Sequence, residues 1–198
     1  MKSLLLASQS PRRQQLLQDA GIEFSVVSNL ELIEILRPEL SIDDQIKDLA
    51  QQKAKQVMFH LDDEKLQDKV LLTADTMVVF KDEALGKPKN EQDASRMLHM
   101  LSDNTHCVKT GYCLVDIEQD EWLIGIETTL VRFQKLSEQV IFDYVKTGEP
   151  MDKAGAYGIQ GQAGKFVSYI DGSYSNVVGL PVEIIQQHLQ QNGWNTAL

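Results

Sequence analysis

Along the chain, short continuous apolar runs alternate with stretches in which apolar residues have helical spacing. Apolar runs bounded by turn residues are typical of buried strands, and they predict strands at 3–8, 23–28 and 70–80. Helices are predicted where apolar residues recur every three or four positions behind a capping residue. The predicted helices cover 11–20, 41–61, 91–102, 137–148 and 181–193.

Residues 106–118 and 121–134 read as two long strands joined by Gln119 and Asp120, which predicts a hairpin. Strands and helices therefore follow one another both in alternation and as a hairpin, which predicts an α/β fold with a mixed sheet. Residues 29–40 and 82–90 are predicted to be loops, and 150–181, rich in Gly, Tyr, Ser and Asn, an ordered functional segment.

Several boundary residues support the predicted helices. Ser10 is a suitable N-cap with Pro11 at the first helical position, and Ser41 with Asp44 forms a start that resembles a capping box. The other boundary residues are Gly21, Ser137, Gly148 and Pro181.

Composition narrows the class of protein. The 198 residues suffice for one domain or two small lobes, and 42% hydrophobic with 24% charged residues is typical of a soluble globular protein. We expect no membrane span, since no run of 18 apolar residues occurs, and no signal peptide. Cys107 and Cys113 fit buried free thiols in a reducing cytoplasm. The net charge of -10 argues against a nucleic-acid polymer or an anionic membrane as partner, yet still allows a small anionic substrate near clustered Lys and Arg.

The segment SQSPRR joins the first strand to the first helix. Ser8, Ser10, Arg12 and Arg13 surround a helix N-terminus, where free N–H groups and the helix dipole favour anions. One interpretation is a phosphate site with hydroxyl and guanidinium donors, and the other is a capped helix with solvated arginines. On these residues alone, the second interpretation is favoured.

Asp75 and Thr76 interrupt the apolar strand LLTADTMVVF. A buried carboxylate is costly without a partner, so Asp75 either pairs with a lysine or backbone donors, or binds a divalent cation or accepts a proton from water. The functional interpretation is favoured, since so apolar a strand has simpler ways to be stable. Glu34 is a second acidic candidate, and Lys53 is either a cation beside both or a solvated lysine.

Two further segments carry polar candidates. Lys87 precedes Pro88 in LGKPK, where an ordinary surface turn is the simpler interpretation. In residues 152–181, closely spaced glycines allow close approach of a ligand, and the Gln160 amide can read the edge of a nucleobase. The alternative is a glycine-rich turn with Gln160 in solvent; the density of glycine and polar residues favours a binding loop, although no P-loop pattern occurs.

Three parts of the sequence together resemble the Maf family of nucleoside triphosphate pyrophosphatases. They are LLLASQSPRRQQLL, LLTADTMVVF with LGKPKN, and DKAGAYGIQGQAGKFVSYIDGSYSNVVGLP. LAQQKA and LSDNTHCVKTGY resemble two more family segments, and the likeness runs in order from residue 3 to about 185. It implies a single Maf-like domain over residues 1–198, with a mixed twisted sheet, flanking helices and two lobes around an active-site cleft, as in inosine-triphosphate pyrophosphatases. It also implies a cytoplasmic homodimer that splits a nucleoside triphosphate into monophosphate and diphosphate with Mg²⁺ or Mn²⁺.

The resemblance also implies roles for individual residues. The catalytic residues correspond to Asp75, Lys53 and Lys87, and Asp75 with Glu34 corresponds to the metal-binding carboxylates. The substrate-binding residues correspond to Ser8, Ser10, Arg13 and Glu34. The acidic loop residue is Glu34 or, alternatively, its neighbour Glu31.

Three positions resemble the subgroup that acts on dTTP and UTP: Arg12, Thr76 and Gln160. The subgroup that prefers 7-methyl-GTP tends to carry Trp, Gln and Glu there. The chain departs from the family at Asp103, where Gly is usual. Two alternatives remain: a pyrophosphatase for modified or non-canonical nucleotides, and a non-catalytic nucleotide-binding regulator of septum formation. The presence of the catalytic acid and lysines favours an enzyme.

Overall fold

A computed structural model of the chain describes residues 2–27, 30 and 32–194. The strands are β1 (Ser3–Leu6), β2 (Phe24–Val26), β3 (Lys69–Phe80), β4 (Glu83–Leu85), β5 (Thr105–Asp116), β6 (Glu121–Phe133) and β7 (Val167–Asp171). The α-helices are α1 (Pro11–Asp19), α2 (Ile42–His60), α3 (Asp63–Leu66), α4 (Glu91–Leu101), α5 (Glu138–Lys146), α6 (Tyr174–Val178) and α7 (Val182–Gln191). Three 3₁₀ turns follow α5, at Glu149–Asp152, Ala154–Ala156 and Gln162–Phe166.

The strands form one open sheet in the order β2-β1-β3-β5-β6-β7, with β4 paired to β3. Strand β1 runs parallel to β2 and β3, whereas β4 is antiparallel to β3 and β7 is antiparallel to β6. The predicted α/β fold with a mixed sheet is therefore confirmed. None of the described helices combines the length and apolarity needed to cross a membrane.

The chain divides into two compact units. Unit 1 comprises residues 1–75, 110–127 and 179–198, and unit 2 comprises residues 76–109 and 128–178. The implied single domain with a cleft between two lobes stays a prediction.

Unit 1 has a sheet that is covered on both faces, because successive side chains of β1 point to opposite sides. Leu4 and Leu6 pack with residues of α1 and α7, such as Leu17 and Ile185. Leu5 belongs to a second cluster with residues of α2. Burial on both faces explains why β1 reads as a continuous apolar run rather than as an alternating pattern.

Unit 2 has its own core, in which α4 and α5 pack with aromatic side chains. Leu98 of α4 and Ile141 of α5 belong to this core. Its aromatic members include Phe133, Tyr157 and Phe166. Both cysteines are free, as expected, but only Cys113 is buried and Cys107 is partly exposed.

One predicted loop contains regular structure instead, and further short elements lie in other segments to which no helix or strand was assigned. Residues 82–90 were expected to be loop, yet β4 lies there, paired with the end of β3 through a turn at Lys81 and Asp82. Both turn residues have positive φ, 49° and 63°, as a tight two-residue hairpin requires. Neither residue is glycine, which usually marks such turns in a sequence. The segment 150–181 contains β7 and α6, and α3 follows α2.

All three predicted serines occupy N-cap positions, and two of them accept a capping hydrogen bond through the side chain. Ser41 accepts a hydrogen bond from the Asp44 N–H at 3.2 Å, and Ser137 accepts one from the Val140 N–H at 3.3 Å. Ser10 occupies the N-cap position of α1, but within the described residues its side chain makes no capping hydrogen bond. The predicted N-cap position of Ser10 is therefore confirmed, without a capping hydrogen bond from its side chain. The predicted strand 23–28 is shorter than expected, and its last position lies outside the described residues, as does Glu31.

Candidate active site

The loop after β1 and the first turn of α1 are held together by Arg13. Its Nε donates to the Gly179 carbonyl oxygen at 2.8 Å, and its Nη1 donates to the Ala74 carbonyl oxygen at 2.9 Å. Nη1 also lies 3.4 Å from Ser8 Oγ, which accepts a further hydrogen bond from the Ser10 N–H at 3.2 Å. The guanidinium therefore joins the Ser8 loop to the strand that carries the adjacent Asp75.

The Arg13 side chain keeps its charge in this setting. Burial lowers the pKa of the Arg13 guanidinium, and the nearby Asp75 carboxylate opposes that effect. An arginine remains protonated in proteins even with a depressed pKa. A fixed positive charge thus lies beside the loop where the family resemblance implies phosphate binding.

Asp75 lies where the burial of β3 is interrupted. The strand is buried before and after residues 75–77, which are partly exposed. Lys53, on α2, brings its Nζ to 2.5 Å from Asp75 Oδ1 and to 2.9 Å from Glu34 Oε1. The side chains of Lys53 and Asp75 are 12% and 14% exposed, whereas Glu34 is 52% exposed. One ammonium therefore holds two carboxylates, at a place that solvent reaches.

This arrangement combines both interpretations of Asp75. The carboxylate is paired with a lysine, which alone would suffice for a structural role. A second carboxylate on the same ammonium, and the break in burial around it, exceed what a structural ion pair needs. The structure thus brings together Arg13, Lys53, Asp75, Glu34 and Ser8, all within unit 1.

The two carboxylates fit a hard divalent cation that keeps much of its hydration. Mg²⁺ is usually bound by one or two carboxylates together with waters and substrate phosphates. Asp75 and Glu34 supply that number of carboxylates, both already within 3 Å of a single positive charge. Over residues 2–27, 30 and 32–194, no cluster of three or more His, Cys, Asp or Glu residues could form a closed metal cage.

The remaining predicted residues differ in their surroundings. Arg12 lies partly exposed in the first turn of α1, and Ser10 precedes it. Thr76, Lys87 and Gln160 belong to unit 2. Thr76 is partly exposed, and Lys87 and Gln160 are exposed.

Within unit 2, the segment that carries Lys87 is joined to the glycine-rich segment. The Gly155 N–H donates to the carbonyl oxygen of Gly86, directly before Lys87, at 3.0 Å. Gly155 has a φ of +66°, and a Cβ there would lie 2.8 Å from the Val78 side chain. Glycine is therefore required at this position both by backbone conformation and by space.

The turn that carries Gln160 is held by Glu149, which the sequence analysis did not name. Glu149 Oε1 accepts hydrogen bonds from the Gln162 N–H and the Tyr144 hydroxyl, each at 3.1 Å. A Cβ at Gly161 would lie 1.9 Å from the same oxygen. Gly161 thus permits the close approach of the Glu149 carboxylate. The high glycine content of this segment was the one sequence feature that indicated such a close contact.

Gln52 and Gln56 were also missed. Both flank Lys53 on α2, and both hydrogen-bond the backbone on either side of Glu34. Their spacing of four on a polar helix face was visible in the sequence, but an amide that binds loop backbone follows no sequence pattern.

Fold and site together define an α/β protein in which cations and carboxylates cluster at a partly exposed interruption of a buried strand. A family model described as "Maf-like protein" matches residues 3–192. The chain belongs to the Maf family, which confirms the resemblance recognised in the sequence.

Three curated relatives are each named dTTP/UTP pyrophosphatase. The protein of Bdellovibrio bacteriovorus is 45% identical over 189 residues, covering 96% of this chain and 98% of the relative. The Geobacillus sp. protein is 44% identical, covering 98% and 100%. The Alkaliphilus oremlandii protein is 47% identical, covering 92% of each chain.

Proposed function

We propose that the protein is a nucleoside triphosphate pyrophosphatase that hydrolyses dTTP and UTP to the nucleoside monophosphate and diphosphate. The observation that carries this proposal is the Lys53 ammonium held between the Asp75 and Glu34 carboxylates at 2.5 and 2.9 Å. The shared name of the relatives supports the same reaction and the same substrates.

In the proposed reaction, Asp75 orients the attacking water and accepts its proton. The water oxygen forms a bond to the α-phosphorus, and the bond from that phosphorus to the oxygen bridging to the β-phosphate breaks. Diphosphate leaves with that oxygen and its electron pair. Lys53 keeps the Asp75 carboxylate in place through the 2.5 Å contact.

The triphosphate carries about four negative charges, which cations must balance. Arg13, Lys53 and Lys87 are proposed to neutralise it, with Ser8 and Ser10 donating hydrogen bonds to phosphate oxygens. Asp75 and Glu34 would hold the Mg²⁺ or Mn²⁺ ion. That ion would stabilise charge on phosphate oxygens and make bound water a stronger acid.

Arg12, Thr76 and Gln160 are proposed to recognise the base. Uracil and thymine present O2, N3–H and O4, which an amide, a hydroxyl and a guanidinium can satisfy. Cytosine exchanges the donor and acceptor positions, so a site built for uracil would leave polar groups unpaired with it.

The test incubates the purified protein and Mg²⁺ with dTTP, UTP, CTP, dITP and 7-methyl-GTP, and separates the products. Monophosphate plus diphosphate from dTTP and UTP, with little from the others, is the expected result. Preference for 7-methyl-GTP would keep the chemistry and overturn the specificity. Nucleotide binding without hydrolysis would point to a regulator.

Asp75→Asn supplies the control, because the amide keeps the size of the side chain but cannot accept the proton. We expect it to remove turnover and to leave the circular dichroism spectrum unchanged. A folded Asp75→Asn protein that still hydrolyses dTTP would overturn the role of Asp75.

We also propose that the protein is a homodimer and lies in the cytoplasm, because the family resemblance implies both. Light scattering would give twice the 22.3 kDa of one chain for the dimer. Fractionation of the source cells would test the location.

A further inference from the structure

Two glutamines on α2 bind the backbone of the loop that carries Glu34. Gln56 Oε1 accepts from the Ile33 N–H at 2.8 Å, and Gln56 Nε2 donates to the Ile33 carbonyl at 2.7 Å. Gln52 Oε1 accepts from the Ile35 N–H at 3.1 Å, and Gln52 Nε2 donates to the Ile35 carbonyl at 2.9 Å. Each amide therefore satisfies both backbone groups of one residue.

The spacing of the four residues explains why two such pairs form. Positions four apart on a helix are separated by about 6 Å along its axis. Positions two apart in an extended chain are separated by about 6.6 Å. Two glutamines one turn apart can therefore reach two alternate residues of the loop, and each bonds both backbone groups of its partner, as a neighbouring strand would.

The glutamine amides are oriented by their partners. Each oxygen must face an N–H and each nitrogen a carbonyl, so a flipped amide would lose both bonds. Gln52 Nε2 also donates to Asp48 Oδ2 at 2.5 Å, and Asp48 lies 3.4 Å from the Arg37 guanidinium. The Gln52 side chain is therefore fixed from two sides.

Burial anchors the start of this segment at Leu32, which packs against the core cluster that includes Ala54 of α2, but it does little for the two isoleucines that follow. The side chains of Ile33 and Ile35 are 70% and 61% exposed, so they contribute little apolar packing to it. Glu34 lies between them, with Oε1 2.9 Å from the Lys53 Nζ. The backbone on both sides of Glu34 is thus attached to α2 through hydrogen bonds to glutamine amides.

We propose that Gln52 and Gln56 are positioning residues for Glu34. They keep its carboxylate beside Lys53 and Asp75, and so raise the affinity of the two carboxylates for a divalent cation. This inference rests on the proposed function for its consequence in catalysis, but the positioning itself can be measured without substrate.

The first test measures hydrogen exchange of single amides by nuclear magnetic resonance. Methionine matches glutamine in length and removes its hydrogen bonds. Gln56→Met is expected to raise exchange at the Ile33 N–H, and Gln52→Met at the Ile35 N–H, each about tenfold. Gln51→Met, one residue away on α2, is the matched control and is expected to change neither amide. Unchanged exchange at both amides in the double variant would overturn the inference.

The second test measures Mn²⁺ binding by electron paramagnetic resonance, without nucleotide. The double variant Gln52→Met/Gln56→Met is expected to raise the dissociation constant about tenfold, as is Glu34→Gln. In a Glu34→Gln background, the double variant should add no further loss, because the glutamines act through Glu34. The inference would be overturned if the double substitution weakened Mn²⁺ binding as much in the Glu34→Gln background as in the wild-type background. It would also be overturned if the wild-type protein bound no Mn²⁺.

The two proposals fail in different ways. Faster amide exchange and weaker Mn²⁺ binding, in a protein that hydrolyses no nucleotide, would overturn the proposed function alone. Full hydrolysis of dTTP with unchanged amide exchange in the double variant would overturn the positioning role alone.

Discussion

The Nη1 of Arg13 lies 2.9 Å from the carbonyl oxygen of Ala74, the residue directly before Asp75 on β3. The same guanidinium reaches the Gly179 carbonyl through Nε at 2.8 Å. Arg13 is therefore part of the support for the backbone at Asp75, in addition to the proposed role of its charge in binding the triphosphate. Its two roles can be separated because lysine keeps the charge but lacks the planar fork of donors.

Arg13→Lys is expected to lower kcat/KM for UTP about 100-fold, because a single ammonium cannot span two carbonyl oxygens and the backbone at Asp75 shifts. Steady-state kinetics measures the loss. Arg96→Lys on α4, whose guanidinium pairs with Asp93 at 2.9 Å, makes the same chemical change elsewhere and should have no effect. Equal activity of the two variants would contradict a supporting role for Arg13.

Gly161→Ala is expected to raise KM for dTTP about tenfold, because the new Cβ would lie 1.9 Å from Glu149 Oε1 and the Gln160 turn must move. Glycine at position 86 has open space around it, so Gly86→Ala controls for the loss of glycine itself. Parallel kinetic measurements on both variants test the idea. A normal KM in Gly161→Ala would mean that the turn does not help to bind the base.

Stability is expected to fall in acid because of His106. This side chain is buried, its Nε2 lies 2.7 Å from the Tyr157 hydroxyl, and burial lowers the pKa of His106 to about 4 from 6.5. Between those values the unfolded chain binds a proton that the folded chain does not, so stability is full above 6.5 and is lost as the pH falls toward 4.

When the pH is lowered from about 7.5 to about 5.5, protonation of His106 in the unfolded chain should lower the free energy of unfolding by about 1 kcal/mol. This range stays above the isoelectric point of about 4.8. Urea unfolding at several pH values measures the slope in the wild-type protein and in His106→Gln, which cannot take up the proton. Identical slopes in the two proteins would exclude His106 as the source.

Asp103 has a φ of 55°, a left-handed conformation that costs a β-carbon residue about 1 kcal/mol and glycine nothing. This conformation favours glycine, the residue that the family resemblance implies at this position. Asp103→Gly is expected to be about 1 kcal/mol more stable than Asp103→Ala, since both lose the ion pair with Arg132. Thermal unfolding compares the two variants, and equal stability would contradict backbone strain at this position.

The sequence predicted much of the fold, because its strands and helices carry strong local signals. The continuous apolar run of β1 and the helical spacing of α2 are two examples. Strand β7 was missed because Val167–Asp171 is mostly exposed and contains no apolar run. Strand β4 was missed because its turn, at Lys81 and Asp82, contains no glycine.

For the candidate site, the sequence named charged residues, several of which the structure brings together, but it gave none of their distances. Lys53 and Asp75 are 22 positions apart, and only the packing of α2 near β3 brings them into contact. Gln52 and Gln56 were not predictable, because their partners are backbone groups, which every residue has. Glu149 likewise acts on backbone, through the Gln162 N–H.

The hydrogen bond from Arg13 to the Gly179 carbonyl joins residues 166 positions apart. During synthesis, the first of these residues leaves the ribosome long before the second has been made. The guanidinium therefore reaches its final position only when almost the whole chain is present. Incomplete translation products that end before Gly179 would carry Asp75, Lys53 and the Ser8 loop, yet they would lack one of the two carbonyl anchors of Arg13.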